Sequence, residues 1–247
     1  MSAVRHLPRP VLEGESSTFP RIPAIAAVAG TSLIGFTAGT LGGPVAAMIF
    51  GAVGFFWGLL AVVVARRLTR SSRRAMFANV SLYAATFAIT CLAGVGLQIM
   101  PIMDLTVAEA PQFFANLVRP PIGDAEALPY YLLNTPLEWL LVPAALLLNA
   151  RIPKRRTLIM IAATMFIALR AWSYLYFVPD ILDWNQGTTG QPLSADQLDQ
   201  AALWVDLSWI RLGADAAIAL LLLGAAFIPV ASADVPESSK DGSLLRS

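Results

Sequence analysis

Apolar and polar positions along this chain fall into long blocks, not into the short periods of a soluble helix or strand. Residues 24–65 carry no charged side chain. One helix needs about 20 apolar residues to cross the hydrocarbon core, so this block predicts two crossings. The break between them falls at Gly42-Gly43-Pro44, where proline lacks a backbone donor and suits the first turn of a new helix. Further apolar blocks predict helices over 77–100, 130–150, 157–178 and 204–230. The expected fold is all-α: a polytopic membrane protein built as a six-transmembrane-helix bundle.

The polar blocks between these helices divide by charge. Residues 66–74 (RRLTRSSRR) hold five arginines, and 151–156 (RIPKRR) form a second basic loop. Basic loops this short stay cytoplasmic under the positive-inside rule. On the other side, 101–129 carries Asp104, Glu109, Arg119, Asp124 and Glu126, and 179–203 carries Asp180, Asp183, Asp196 and Asp199 with no basic residue. Phe113, Phe114, Leu117 and Val118 predict a short interfacial helix within 101–129. The organisation expected is a disordered cytoplasmic tail over 1–22, a glycine-rich hairpin over 23–66, a four-helix membrane core over 77–230 with two outer loops, and a second cytoplasmic tail over 231–247. The N-terminal tail is not a secretory signal peptide, because no small-residue cleavage site follows a short apolar core. Both termini are then cytoplasmic and the chain is multi-pass in the cell (inner) membrane; its alanine- and leucine-heavy composition fits a high-GC bacterium.

Composition narrows the chemistry. The chain is 57% hydrophobic and 13% charged with a net charge of +1, which provides no field to attract nucleic acid. Mean hydropathy is +0.65, outside the usual soluble range. Cys91 is the only cysteine and lies in an apolar run, so neither an intrachain disulfide nor a cysteine metal cluster can form. His6 is the only histidine and falls in the tail, so haem, zinc or di-iron ligation lacks its usual ligands, and no metal or cofactor is expected. Gly35, Gly39 and Gly43 recur every fourth residue, as do Gly54 and Gly58. Small residues at that spacing let helices approach closely, within the hairpin or across a homodimer or membrane-partner seam.

Ionisable residues at membrane depth are the candidate chemistry, because each is costly there without a partner or a wet cavity. Glu138 lies roughly 12 Å along its helix, and Arg170 and Arg211 lie at similar depths from the outer ends of theirs. Asp215 is one turn deeper than Arg211. The last three helices thus place cations and anions in one outer-leaflet layer, where they sum to near neutrality. An interhelical Arg170–Glu138 ion pair that fixes packing is one reading. Arg211 and Asp215, at i and i+4, also stand where they can satisfy each other. The functional reading is a pocket for a small lipophilic substrate. In it Glu138 is the general base, Arg170 holds an anionic oxygen, and Tyr174 donates. Asn134, Trp172, Tyr176, Trp209, Arg211 and Asp215 would line it. The aromatic residues fit an aromatic belt as well as a stacking platform. Pro136 and Pro143 free backbone carbonyls near Glu138, as breaks that line membrane cavities often do.

Asn134-Thr135-Pro136-Leu137 opening one helix, and Trp209 with Arg211 before the run ADAAIALLLLGAA, resemble the small four-helix membrane proteins grouped with the anthrone oxygenases. The resemblance covers 80–230 and leaves the first hairpin unexplained. The family pattern has asparagines where this chain carries Glu138 and Ser208. The resemblance implies oxidation of a lipophilic polycyclic phenol by molecular oxygen without a metal. A non-catalytic membrane subunit or assembly partner is the competing class, and a small transporter a third, weakened by the lack of an internal repeat.

Overall fold

Six helices are long and apolar enough to cross a membrane: Arg21–Gly42, Pro44–Leu68, Arg74–Glu109, Ile122–Leu148, Pro153–Asn185 and Ala195–Ala226. They come from a computed structural model that describes residues 19–230 except 188 and 189. The protein is an all-α polytopic membrane bundle, as its block pattern predicts. His6 and the tail expectations for 1–18 and 231–247 lie outside the described residues. Residues 21 and 22, assigned to the tail from sequence, already belong to the first helix.

The first hairpin pairs α1 (Arg21–Gly39) with α2 (Pro44–Leu68) through a short 3-10 turn at Thr40–Gly42. Gly43 turns the chain at φ 90°, a conformation that a Cβ disfavours, and Pro44 opens α2. The other four spaced glycines are buried in the seam between these two helices. A Cβ on Gly54 would collide with the Thr31 carbonyl oxygen, and one on Gly39 would lie 2.7 Å from that of Ala46. The close approach lets the Thr31 hydroxyl donate across the seam to the Gly54 carbonyl at 2.8 Å. The glycines thus serve the hairpin's own packing.

The remaining helices run further than their apolar blocks suggest. α3 (Arg74–Glu109) passes through Pro101 and reaches 36 residues, about 54 Å against a hydrocarbon core of about 30 Å. α4 (Pro111–Leu117) is the short helix expected around Phe113, and α5 (Ile122–Pro136) starts eight residues before the expected position 130. A π-helical segment, Leu137–Leu141, joins α5 to α6 (Val142–Leu148). α7 (Pro153–Trp172) continues through a second π-helical segment, Ser173–Phe177, into α8 (Val178–Asn185), so Pro179 does not end it. α9 (Ala195–Ala226) begins nine residues before Trp204 at a capping box, where Ser194 and Gln197 satisfy each other's backbone N–H at 3.2 and 3.1 Å.

The extra length builds a second core. Within the spans, Leu82, Ile89, Leu146, Phe166 and Ile218 are fully or almost fully buried. Such packing in lipid rests on van der Waals contact and hydrogen bonds, because lipid tails are as apolar as the side chains. Beyond them, at the acid-rich end, Met100, Phe114, Val118, Phe177, Trp184, Leu193 and Trp204 form a separate cluster. Phe114 and Trp204 both meet Trp184 edge-on, at 5.9 and 6.0 Å. The two regions expected as loops therefore form a helical cap, and the expected interfacial helix turns Phe114 into it.

Candidate functional site

The end of α5 and the end of α7 present the intramembrane charges to each other. The Arg170 guanidinium donates from Nε to Glu138 Oε1 at 2.6 Å, closing an ion pair. The Tyr174 hydroxyl, one turn after Arg170, donates towards both Glu138 oxygens, at 3.2 and 3.0 Å. Arg170 also lies over the Tyr174 ring, 5.2 Å from its centroid. Glu138 is only 3% exposed and the Arg170 side chain 13%. A carboxylate offers about four acceptor sites, so this one retains capacity for a further donor.

The backbone bends to present these groups. Glu138 lies in the π-helical segment Leu137–Leu141, and Tyr174 in Ser173–Phe177. The amides of Val142 and Val178 accordingly reach back five residues, to the Leu137 and Ser173 carbonyls. π-helical turns are rare and frequently mark functional positions. Each is followed by a proline, Pro143 or Pro179, which cannot supply the next amide donor. The Trp139 carbonyl left without the Pro143 N–H accepts instead from the indole N–H of Trp57 on α2. The sequence reading placed a freed carbonyl here; its partner comes from the first hairpin.

The other expected site residues divide. Arg211 does not close an ion pair with Asp215 among the described residues. Its guanidinium instead sits over the Phe177 ring at 4.4 Å and the Trp204 ring at 5.6 Å. Desolvated cation–π contacts of this kind contribute up to about 2 kcal/mol. Arg170, Tyr130 and Asp215 remain within electrostatic reach of Arg211. Asp215 is half-buried, one turn further along α9. Trp172 and Tyr176 meet Phe177 edge-on, at 5.0 and 5.2 Å. Trp172 and Tyr176 are half-buried, and with the buried Phe177 and Trp204 they form an aromatic stack between cluster and cap. Trp209 is 36% exposed. Asn134, one turn before Glu138, is buried with its Oδ1 lacking a partner, and so is the Ser208 hydroxyl. No protein-family model, no curated protein and no solved structure matches this chain.

Two further buried arginines escaped the sequence reading, which treated them as loop charges. Arg155 is 2% exposed at the arginine-loop end. It donates from Nε to the Ile228 carbonyl at 2.6 Å, and from one terminal nitrogen to the Asn79 and Asn149 side-chain oxygens at 2.8 and 3.0 Å. Arg119, in the cap, donates to the Trp184 carbonyl at 3.1 Å and to that of Gln191. Beside it a cavity of about 480 Å³ opens between Asp183, Trp184 and Leu193. That cavity and the hairpin groove described below are not lined by Glu138 or Arg170.

Proposed function

We propose that this membrane protein binds a small lipophilic phenol, polycyclic in the simplest case, at the Glu138–Arg170–Tyr174 cluster. The observation that carries this reading is the pair of π-helical segments on neighbouring helices, which aim Glu138 and Tyr174 at one point beside Arg170. The unpartnered Asn134 Oδ1 one turn away supports it, because a buried acceptor is costly unless something donates to it. In the proposed chemistry the substrate hydroxyl donates to Glu138, and its proton passes to that carboxylate. Arg170 then pairs with the phenolate oxygen, and Tyr174 turns its hydroxyl to the same atom. A phenolate is the electron-rich form of such a ring. The oxidation by molecular oxygen implied by the resemblance would start from it.

Binding of 1-naphthol, followed by quenching of intrinsic tryptophan fluorescence in detergent, tests the reading. Removing one partner of a buried ion pair costs about 3–5 kcal/mol, so the informative variant removes both charges: Glu138→Gln with Arg170→Gln. The double variant is expected to fold and to bind at least roughly tenfold more weakly, the loss of one charge-assisted hydrogen bond. Unchanged binding by the folded double variant would sink the proposal. The closure of the cluster, with Glu138 at 3% exposure, favours a second reading: a non-catalytic membrane subunit whose ion pair pins α5 to α7. In that case the wild type shows no saturable naphthol binding, and the single variants lose stability alone.

A further inference from the structure

The outward side of the α1–α2 hairpin carries a groove of about 920 Å³. Val28, Ser32, Phe55 and Leu59 line it, and Arg66 is the only charged side chain on its wall. Two local features keep its floor open and apolar. Gly51 contributes no side chain, and a Cβ there would come within 3.3 Å of Phe36. The Ser32 hydroxyl donates to the Gly51 carbonyl at 3.1 Å, so the one hydroxyl in the groove is already engaged. At the groove's end the Arg66 guanidinium lies 5.5 Å over the Phe19 ring, which holds it beside the opening. Arg67, Arg70, Arg73 and Arg74 follow in the loop, with no acidic residue over 66–74.

The part of the groove nearest Arg66 spans one leaflet: from Arg66 back to Phe55 the helix rises about 16 Å, against about 15 Å for half of the hydrocarbon core, and the groove continues past Gly51 to Met48. We propose that the groove is a site for an anionic phospholipid of the leaflet on the arginine-loop side. The phosphate rests on Arg66, and one acyl chain runs along Val28, Leu59 and Phe55. A guanidinium holds phosphate oxygens in a two-pronged geometry, and a headgroup with no cation of its own leaves a net negative charge for Arg66 to meet, which the choline of a zwitterionic lipid cancels. The loop arginines add attraction for an anionic surface, but the groove supplies the defined seat. The inference is independent of the phenol site.

The test is native mass spectrometry of the delipidated full chain after addition of phosphatidylglycerol or phosphatidylcholine with the same acyl chains. Phosphatidylglycerol is expected to remain bound under activation that strips phosphatidylcholine. Arg66→Gln is expected to cut that occupancy roughly fivefold, one cation's worth of attraction to an anionic lipid. Ala29→Trp, at an exposed groove position, is expected to abolish it without lowering the melting temperature. Equal retention of the two lipids would overturn the proposal. So would retention that survives both variants but is lost on neutralising Arg70, Arg73 and Arg74, because the loop alone would then be the binder. A dimer that Ala29→Trp dissolves would overturn it too, by making a second copy the occupant.

Discussion

Arg155 and Arg170 are both buried guanidiniums, and their surroundings solve the same problem differently. Arg170 has a carboxylate, which sequence alone suggests, because an arginine at membrane depth demands a counter-charge and Glu138 lies at matching depth. Arg155 is held by carbonyls and amide oxygens: Ile228, Ala226, Asn79 and Asn149. Ala226 is the last residue of α9 and Ile228 follows just beyond it, where the helix dipole also favours a cation. Backbone acceptors leave no mark in a sequence, which is why Arg155 reads there as one basic loop residue among four. Arg155→Ala is expected to destabilise the protein by about 3 kcal/mol, and Arg155→Lys to recover little of it, because an ammonium cannot span the same acceptors. Lys154→Ala, at an exposed position in the same loop, is expected to be near neutral. Thermal melting in detergent decides the matter. Equal losses for the two alanine variants would return Arg155 to a purely topogenic role.

At the scale of the elements, block hydropathy located six helices but misplaced their ends, and the reasons are specific. Pro101, Pro129 and Pro179 all lie inside continuous helical spans. Proline ends a helix when the carbonyl it frees has no other donor, and in a packed bundle neighbouring side chains supply one. The pattern Ser-x-x-Gln at Ser194–Gln197 is a helix-start signal of the kind that hydropathy blocks do not register, and it opens α9 nine residues before the apolar run. The π-helical segments were illegible, because they depend on which partner each freed carbonyl finds in three dimensions. Trp57 shows the dependence. Its indole N–H satisfies the Trp139 carbonyl that Pro143 leaves open. This bond lies on the exposed face of the bundle, where lipid offers no donor, so Trp57→Phe is expected to cost about 1–3 kcal/mol, the penalty of an acceptor stranded in an apolar surrounding. With Pro143→Ala already present, the backbone regains a donor and the same Trp57→Phe change is expected to cost less. A double-mutant cycle on melting temperature measures the difference. Additive losses would mean that Pro143 and Trp57 do not act on one carbonyl.

The two ends of the molecule differ in charge. One end carries the two arginine loops and the Arg155 junction; the other carries the helical cap, with Asp180 and Asp183 bonded to Gln200 and Gln197 of α9. The cap core of Phe114, Trp184 and Trp204 is a cluster of its own, and α3 at about 54 Å outreaches a hydrocarbon core of about 30 Å; wherever the cap stands in water, exclusion of water from these rings stabilises it as in a soluble domain. The bundle below relies on close packing and hydrogen bonds. That contrast is why the cap was missed: its helices are too polar to register as membrane blocks and too short of charge alternation to register as soluble ones. The same charge difference sets an orientation. Arginine-rich loops resist translocation, whereas acidic segments contribute little, so the arginine end is expected in the cytoplasm and the cap outside. The single cysteine makes this direct to test, because Cys91→Ala leaves a chain without thiols. In that background, Ala195→Cys at the cap end is expected to react with a membrane-impermeant maleimide on intact cells. Ser72→Cys in the first arginine loop is expected to react only after permeabilisation. The reverse pattern would place the Glu138–Arg170–Tyr174 cluster nearer the cytoplasmic leaflet. It would also leave ten helical residues of α3 beyond Ile99 as an intracellular docking face, a geometry suited to a subunit more than to an enzyme fed from outside.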